Sequence, residues 1–240
     1  FVDTVTEITD ISQTRILKGS TVLVSGKVTD ANGAPLDGMT VQILLNETKE
    51  HGGDLKGTDA TDQGTFSIPI EIDSTVPAGN YQVLAHTLRL ISGNTVYLDS
   101  WSDPSITVYT PTQVTILTTG TLYVGEPFEV TGTFSETVGD RPIVDETLRL
   151  EQDGVFLDSV ATDNLGQFSQ ELVFDSPGIH LLRVVYSGGE FYEPLEFKEE
   201  FPIWLKTEIQ LNMPGRAIVN REITITGALL DSRGLPMGGQ

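Results

Sequence analysis

Histidine is the side chain that most often performs acid–base or metal chemistry near neutral pH, and this chain has three: His51, His86 and His180. A zinc or hydrolase centre requires imidazoles that converge with carboxylates or a nucleophile. His86 and His180 fall in separate alternating segments, and His51 falls in a polar stretch. The expectation is therefore two strand histidines and one loop histidine, without a shared centre. No Gly-x-Ser-x-Gly elbow, phosphate-binding glycine loop or His-Glu-x-x-His motif occurs. The chain also lacks cysteine, which excludes disulfides, zinc–thiolate sites and thiol nucleophiles. It is read as non-catalytic.

Carboxylates are the more plentiful resource: 34 acidic side chains stand against 14 basic ones, a net charge of -20. Such a charge repels nucleic-acid phosphates and anionic lipid, so neither is expected as a partner. Asp59 and Asp62 flank one turn, Asp158 and Asp163 an equivalent one, and Asp99 and Asp103 lie close together; Glu190, Glu193 and Glu196 form a further group. Calcium takes about six to eight oxygens, often from loop carboxylates and backbone carbonyls. Asp59, Asp62, Asp99, Asp103, Asp158 and Asp163 are therefore the calcium candidates. No Asp-x-Asp-x-Asp ladder accompanies them, so solvated surface carboxylates are the simpler expectation. Asn46-Glu47-Thr48 is a glycosylation sequon. Trp101 and Trp204 are possible sugar platforms, but tryptophans near strand ends more often pack. A Lys–Asn cross-link is disfavoured: residues 110–197 contain no lysine, and the segment Ile106-Thr107-Val108-Tyr109 has no asparagine.

What positions these side chains is an internal repeat. Thr6, Gly19 and Gly26 recur at the same spacing as Thr112, Gly125 and Gly132, and again as Thr207, Asn220 and Gly227. Each second marker glycine sits in alternating text: Val24-Ser25-Gly26-Lys27-Val28, Val130-Thr131-Gly132-Thr133-Phe134 and Ile225-Thr226-Gly227-Ala228-Leu229. That is the period of a strand. A proline turn follows each time, at Pro35, Pro142 and Pro236. The first two copies continue in step, Thr61–Ser67 with Thr162–Ser169 and Pro77–Tyr81 with Ser176–His180, and end in glycine hairpins at Ser92-Gly93-Asn94 and Ser187-Gly188-Gly189. About seven short strands per copy of about 100 residues describe an immunoglobulin-like sandwich. No segment has a capped helical period, and none is long and apolar enough to cross a membrane as a helix.

The fold class expected is all-β, as tandem immunoglobulin-like β-sandwiches. Residues 1–109 form repeat 1, 110–204 repeat 2, and 205–240 the start of an incomplete repeat 3. Their net charges are -8, -13 and +1. The joins at Tyr109-Thr110-Pro111 and Trp204-Leu205-Lys206 are short, which predicts limited freedom between copies. Phe1 stands where a start methionine would, so a processed protein or a piece of a longer one is expected. Thirty-six residues of repeat 3 cannot bury a core alone, so the natural protein is expected to continue past Gln240; docking of these strands on repeat 2 or another chain is the alternative.

Gly26-Lys27-Val28-Thr29-Asp30, Gly33-Ala34-Pro35-Leu36, Val41-Gln42-Ile43 and Thr61-Asp62-Gln63-Gly64-Thr65-Phe66 resemble the immunoglobulin-like repeats of bacterial and archaeal surface proteins, and the related carboxypeptidase-regulatory-like domains. Val185–Tyr192 is similar to the Tyr-x-Gly hairpin late in such repeats. The missing core disulfide also differs from secreted animal immunoglobulin domains. The resemblance implies stalks of adhesins, S-layer components and spacers in secreted enzymes, with no catalytic residues to transfer. The function expected is a structural stalk, spacer or lattice segment on the cell surface. Its partners would be other repeats of the same longer protein. The alternatives are an adhesin-type module for glycan or protein, and an accessory spacer of a secreted enzyme.

Overall fold

A computed structural model describes every residue except Lys49, Thr119, Gly239 and Gln240. The described residues contain strands and no helix. Two compact units emerge: Phe1–Gln113 with Ser135–Arg141 and Ser187–Pro194, and Val114–Phe134 with Pro142–Tyr186 and Leu195–Gln240.

In the first unit, Thr4–Ile11, Thr21–Asp30 and Thr65–Glu71 form a three-stranded sheet in that order. The facing sheet runs Arg15–Leu17, Ser105–Tyr109, Gly79–Thr87, Thr40–Asn46, Asp54–Ala60, with Ser100–Ser102 also on Gly79–Thr87. Pairing is antiparallel except between Arg15–Leu17 and Ser105–Tyr109. The strands alternate as their sequences do. In Thr21–Asp30, residues Val22, Val24 and Val28 are buried, where they meet Val41, Ile43, Val83 and Val108 in one core. Tyr81, at the start of strand Gly79–Thr87, donates its hydroxyl to the Pro77 carbonyl at 2.9 Å, the tyrosine corner of immunoglobulin sandwiches.

The second set of strands repeats this plan. Thr112–Leu117, Phe128–Glu136 and Gln167–Leu172 form one sheet, and Leu122–Tyr123, Leu195–Trp204, Gly178–Tyr186, Thr147–Gln152 and Val155–Ala161 the other. Leu122–Tyr123 again pairs parallel with the last strand. Thr207–Asn212 and Thr226–Asp231 add an antiparallel hairpin. All eight residues that the alternation marks most clearly as core are buried: Val24, Val28, Phe66, Tyr81, Val130, Phe134, Phe168 and Val184.

The marker glycines have a steric cause. Gly26 lies directly across from Phe66, and Gly132 from Phe168. A Cβ at Gly26 would stand 2.3 Å from the Phe66 Cζ, and one at Gly132 2.4 Å from the Phe168 Cζ. Each glycine is the floor of a seat for a phenyl ring, and no larger residue leaves room for it.

Two sequence expectations are corrected. First, the register matches Thr4, not Thr6, with Thr207: Thr4 pairs with Asp30 as Thr207 pairs with Asp231. A bulge between Ile8 and Asp10 takes up one residue of the two-residue difference in length. Second, Ser187-Gly188-Gly189 is not a paired hairpin; it is a loop closed by Gly189 N–H donating to the Tyr192 carbonyl at 2.9 Å. The equivalent Leu90–Ser92 and Thr95–Tyr97 do pair. The loops Ser135–Arg141 and Ser187–Pro194 group with the first unit. They are bonded there: Arg141 Nη2 donates to the Thr75 carbonyl at 3.0 Å, and Thr110 N–H to the Phe191 carbonyl at 3.0 Å.

Candidate functional site

The histidines do not share a centre. His86 lies across from Trp101 in antiparallel register, and the two rings stack at 3.8 Å. The loop residue His51 covers the other indole face at 4.2 Å. Trp101 is thereby sandwiched between two imidazoles, and neither face is open to a sugar ring. Asp99 stands 3.6 Å from His86 Nε2. The stack draws on a loop and two strands, and alternation within any one segment carries no signal for it.

His180 replaces Tyr81 in the corner of the second copy. Its Nε2 is 2.9 Å from the Ser176 carbonyl, four residues upstream, as the Tyr81 hydroxyl is from Pro77. Its Nδ1 is 2.7 Å from Asp153 Oδ2. Both ring nitrogens face acceptors, so the imidazolium satisfies both contacts. The bond to Asp153 raises the His180 pKa above the usual imidazole value. Asp153 is held below the usual carboxylate range, first by the Leu181 N–H and then by His180.

The six calcium candidates are all exposed, and most have local duties. Asp163 Oδ1 accepts the N–H groups of Leu165 and Gln167, both at 2.8 Å. Asp59 and Asp158 each accept the N–H of the next residue. Asp62 exchanges backbone hydrogen bonds with Thr65, Asp99 faces His86, and Asp103 lies beside strand Ser105–Tyr109. Among the described residues, no three His, Asp or Glu side chains are placed to hold a metal ion. Glu196 bonds Arg183 at 2.6 Å and Lys198 at 2.7 Å, and Arg183 first among them lowers its pKa to about 2. Glu190 accepts from Asn80 at 3.3 Å. Asn46 uses its Nδ2 to bond the carbonyls of Glu50 and Gly52, at 3.1 and 3.3 Å. The sequon nitrogen is thus engaged in shaping its own loop.

Two features escaped the sequence reading. Within the first unit, Lys18 forms an ion pair with Glu136, and their side chains are only 0% and 4% exposed. The signal was available. In the first and third copies an aspartate opens the proline turn and caps it: Asp30 accepts from Asn32 and Ala34, and Asp231 from Arg233 and Leu235, all at 2.9 Å. The second copy has Glu136 there, with one residue more before its proline, so the longer acid is free of the turn. The second feature is Trp204. Expected to pack, it is 58% exposed, and it shares a shallow surface depression with Thr121, Tyr123 and Lys206.

The chain matches no protein-family model and no curated protein sequence. Among solved structures it is similar to the Escherichia coli adhesin FdeC, at 15% identity over 98% of this chain and 76% of that one, with a TM-score of 0.42. It is similar to invasin, a bacterial integrin-binding protein, at 17% identity over 100% of this chain and 48% of that one, with a TM-score of 0.45. The fibronectin(III)-like modules of Clostridium thermocellum CbhA match at 17% identity over 82% and 94%, with a TM-score of 0.30. The fold assignment rests on the chain's own sheets and corners.

Proposed function

We propose that this chain is a non-catalytic structural segment of an extracellular surface protein, in which tandem sandwiches set distance and bear tension. The observation that carries this reading is the parallel pairing of the first short strand with the last: Arg15–Leu17 with Ser105–Tyr109, and Leu122–Tyr123 with Leu195–Trp204. Tension applied through the chain on either side of such a pair runs along both strands, and its hydrogen bonds are loaded together in shear. These include Thr107 N–H to the Thr14 carbonyl at 2.8 Å and Val124 N–H to the Trp204 carbonyl at 3.0 Å. The acidic charge and the resemblance of the turns to surface-protein repeats support an exterior location. In a larger secreted enzyme the same mechanics make a spacer.

Single-molecule pulling tests the reading, since forced unfolding reports the unfolding barrier. Two force peaks are expected, and Val124→Pro, which deletes one donor of the second pair, should lower one of them and leave the other. Extension without resistance in the parent chain would exclude a tension-bearing role.

The exposed Trp204 favours a second reading, an adhesin-type module that binds glycan or protein. Retention on immobilised glycans that is lost in Trp204→Ala would support it; no retention on any glycan or host-surface protein would remove it.

A further inference from the structure

We propose that the outer edge of strand Val155–Ala161 is a docking edge for a polypeptide segment of one chemistry: an extended strand that alternates apolar and basic residues. The edge lies in the interior of the second copy, at the end of the sheet Leu122–Tyr123, Leu195–Trp204, Gly178–Tyr186, Thr147–Gln152, Val155–Ala161. Its inner side pairs with Thr147–Gln152. Among the described residues no strand pairs with its outer side. A strand edge is a row of unpaired N–H and C=O groups, and proteins guard such rows with lysine, inward-pointing charge or a covering element.

The first copy guards its edge and the second does not. Register aligns the two: Ala60 pairs with Thr40 as Ala161 pairs with Thr147, and each strand slips by one residue at the same place, between Ile43 and Leu44 and between Leu150 and Glu151. The extra residue is Lys56 in the first copy and Leu157 in the second. Lys56 is turned inward, with a side chain 11% exposed and its Nζ 3.0 Å from Asp73 Oδ2. Next to it Gly57 lies against the facing sheet, so that an added Cβ would stand 2.6 Å from the Ile68 Cγ2. The second copy has Asp158 at the Gly57 position and Val155 at the Asp54 position. The lysine, the glycine that lets the edge close down and one flanking charge are all replaced. Val155, Phe156 and Leu157 are 68%, 53% and 37% exposed, three consecutive apolar side chains on an unpaired edge.

Charge names the occupant. Asp153, Asp158 and Asp163 stand before, within and beyond the edge strand, all exposed, and Asp145 and Glu146 lead into the neighbouring strand. The base beside the edge, Arg149, lies over the Phe156 ring at 5.4 Å and is engaged with Glu151 at 3.0 Å. Residues 110–204 hold seventeen acids and four bases. A partner strand would complete the ladder with its backbone, cover Val155, Phe156 and Leu157 with its apolar side chains, and set its cations among the carboxylates. A second copy of this chain would bring Asp158 and its neighbours against their like, which opposes pairing.

The test uses the whole chain and a fluorescently labelled peptide of strand length that alternates valine and lysine. Saturable binding by anisotropy is expected, with hydrogen-exchange protection gained across Val155–Ala161. The same peptide with its backbone nitrogens methylated keeps its charge and side chains but loses its ladder donors, and should bind at least about tenfold more weakly; because the change is in the peptide, the chain's folding is untouched. In the chain, Leu157→Lys restores the lysine of the first copy and should weaken binding by a similar factor. Leu23→Lys, the same change of charge at an exposed position of the first unit, should leave binding nearly unaltered. The proposal is overturned by absence of saturable binding, by equal binding of the methylated peptide, by protection at another edge such as Asp54–Ala60, or by sedimentation showing that two chains pair through Val155–Ala161 and exclude the peptide. None of these outcomes bears on the force peaks, so the docking edge and the tension-bearing role fail separately.

Discussion

The most informative single residues are those that break the repeat. Glu136 is the acid that left its turn, and its burial with Lys18 makes both charges dependent on one another. Removing one partner of such a pair strands the other in a dry site, at about 3–5 kcal/mol, whereas replacing both by apolar side chains is often neutral or better. Lys18→Met is therefore expected to lower stability by about that amount in urea denaturation, and Lys18→Met with Glu136→Leu to recover most of it. An unchanged midpoint for Lys18→Met would mean that the pair is solvated. His180 breaks the repeat in another way, by making a corner that titrates. Its raised pKa contributes stability that is full below about pH 6.5, the unfolded value, and is lost as pH rises through the folded value. The lowered pKa of Asp153 contributes above about pH 3.9 and is lost as pH falls through its folded value. The pair is thus strongest between those limits. Melting temperature measured from pH 5 to 8 should decline, once other groups are accounted for, and His180→Tyr should flatten that decline, because a tyrosine makes the same corner in the first copy without titrating. An identical slope in both proteins would remove the corner from the account.

At the scale of elements, the glycine–phenylalanine seat decides which strands meet. Gly132→Ala should cost about 1–3 kcal/mol by overpacking against Phe168 and the Thr115 carbonyl, and Phe168→Ala about 3–5 kcal/mol by leaving the seat empty. If the two changes combined cost no more than Phe168→Ala alone, the ring and the added methyl compete for one space; strict additivity on denaturation would show that they do not. This seat is also why the fold was legible in the sequence. A strand announces itself by alternation, and the marker glycines at 26, 132 and 227 recur because a ring needs the space above two of them. Pairing at longer range left no such trace. Lys18 and Glu136 are far apart in the chain, and only the departure from Asp30 and Asp231 hinted at their meeting. The His51–Trp101–His86 stack depends on where a loop folds over a sheet. Trp204 was misread because its strand-end position says nothing about which face of the sheet is covered.

For the molecule as a whole, a net charge of -20 sets the response to solvent. Like charges on a compact chain repel, and salt screens them over about 10 Å at 0.1 M. Raising sodium chloride from about 10 to 200 mM should therefore raise the melting temperature. With no three-residue metal group among the described residues, a chelator should leave the transition where it was; a fall on chelation that calcium reverses would reinstate the loop aspartates as ligands. The seats at Gly26 and Gly132 carry one more consequence, for the newly made chain rather than the finished one. They accept the same ring in the same register, so neither rejects the other's strand by shape. A chain refolding from denaturant must sort two near-interchangeable pieces before it can close either sandwich, and swapped arrangements are dead ends of a kind that tandem copies invite.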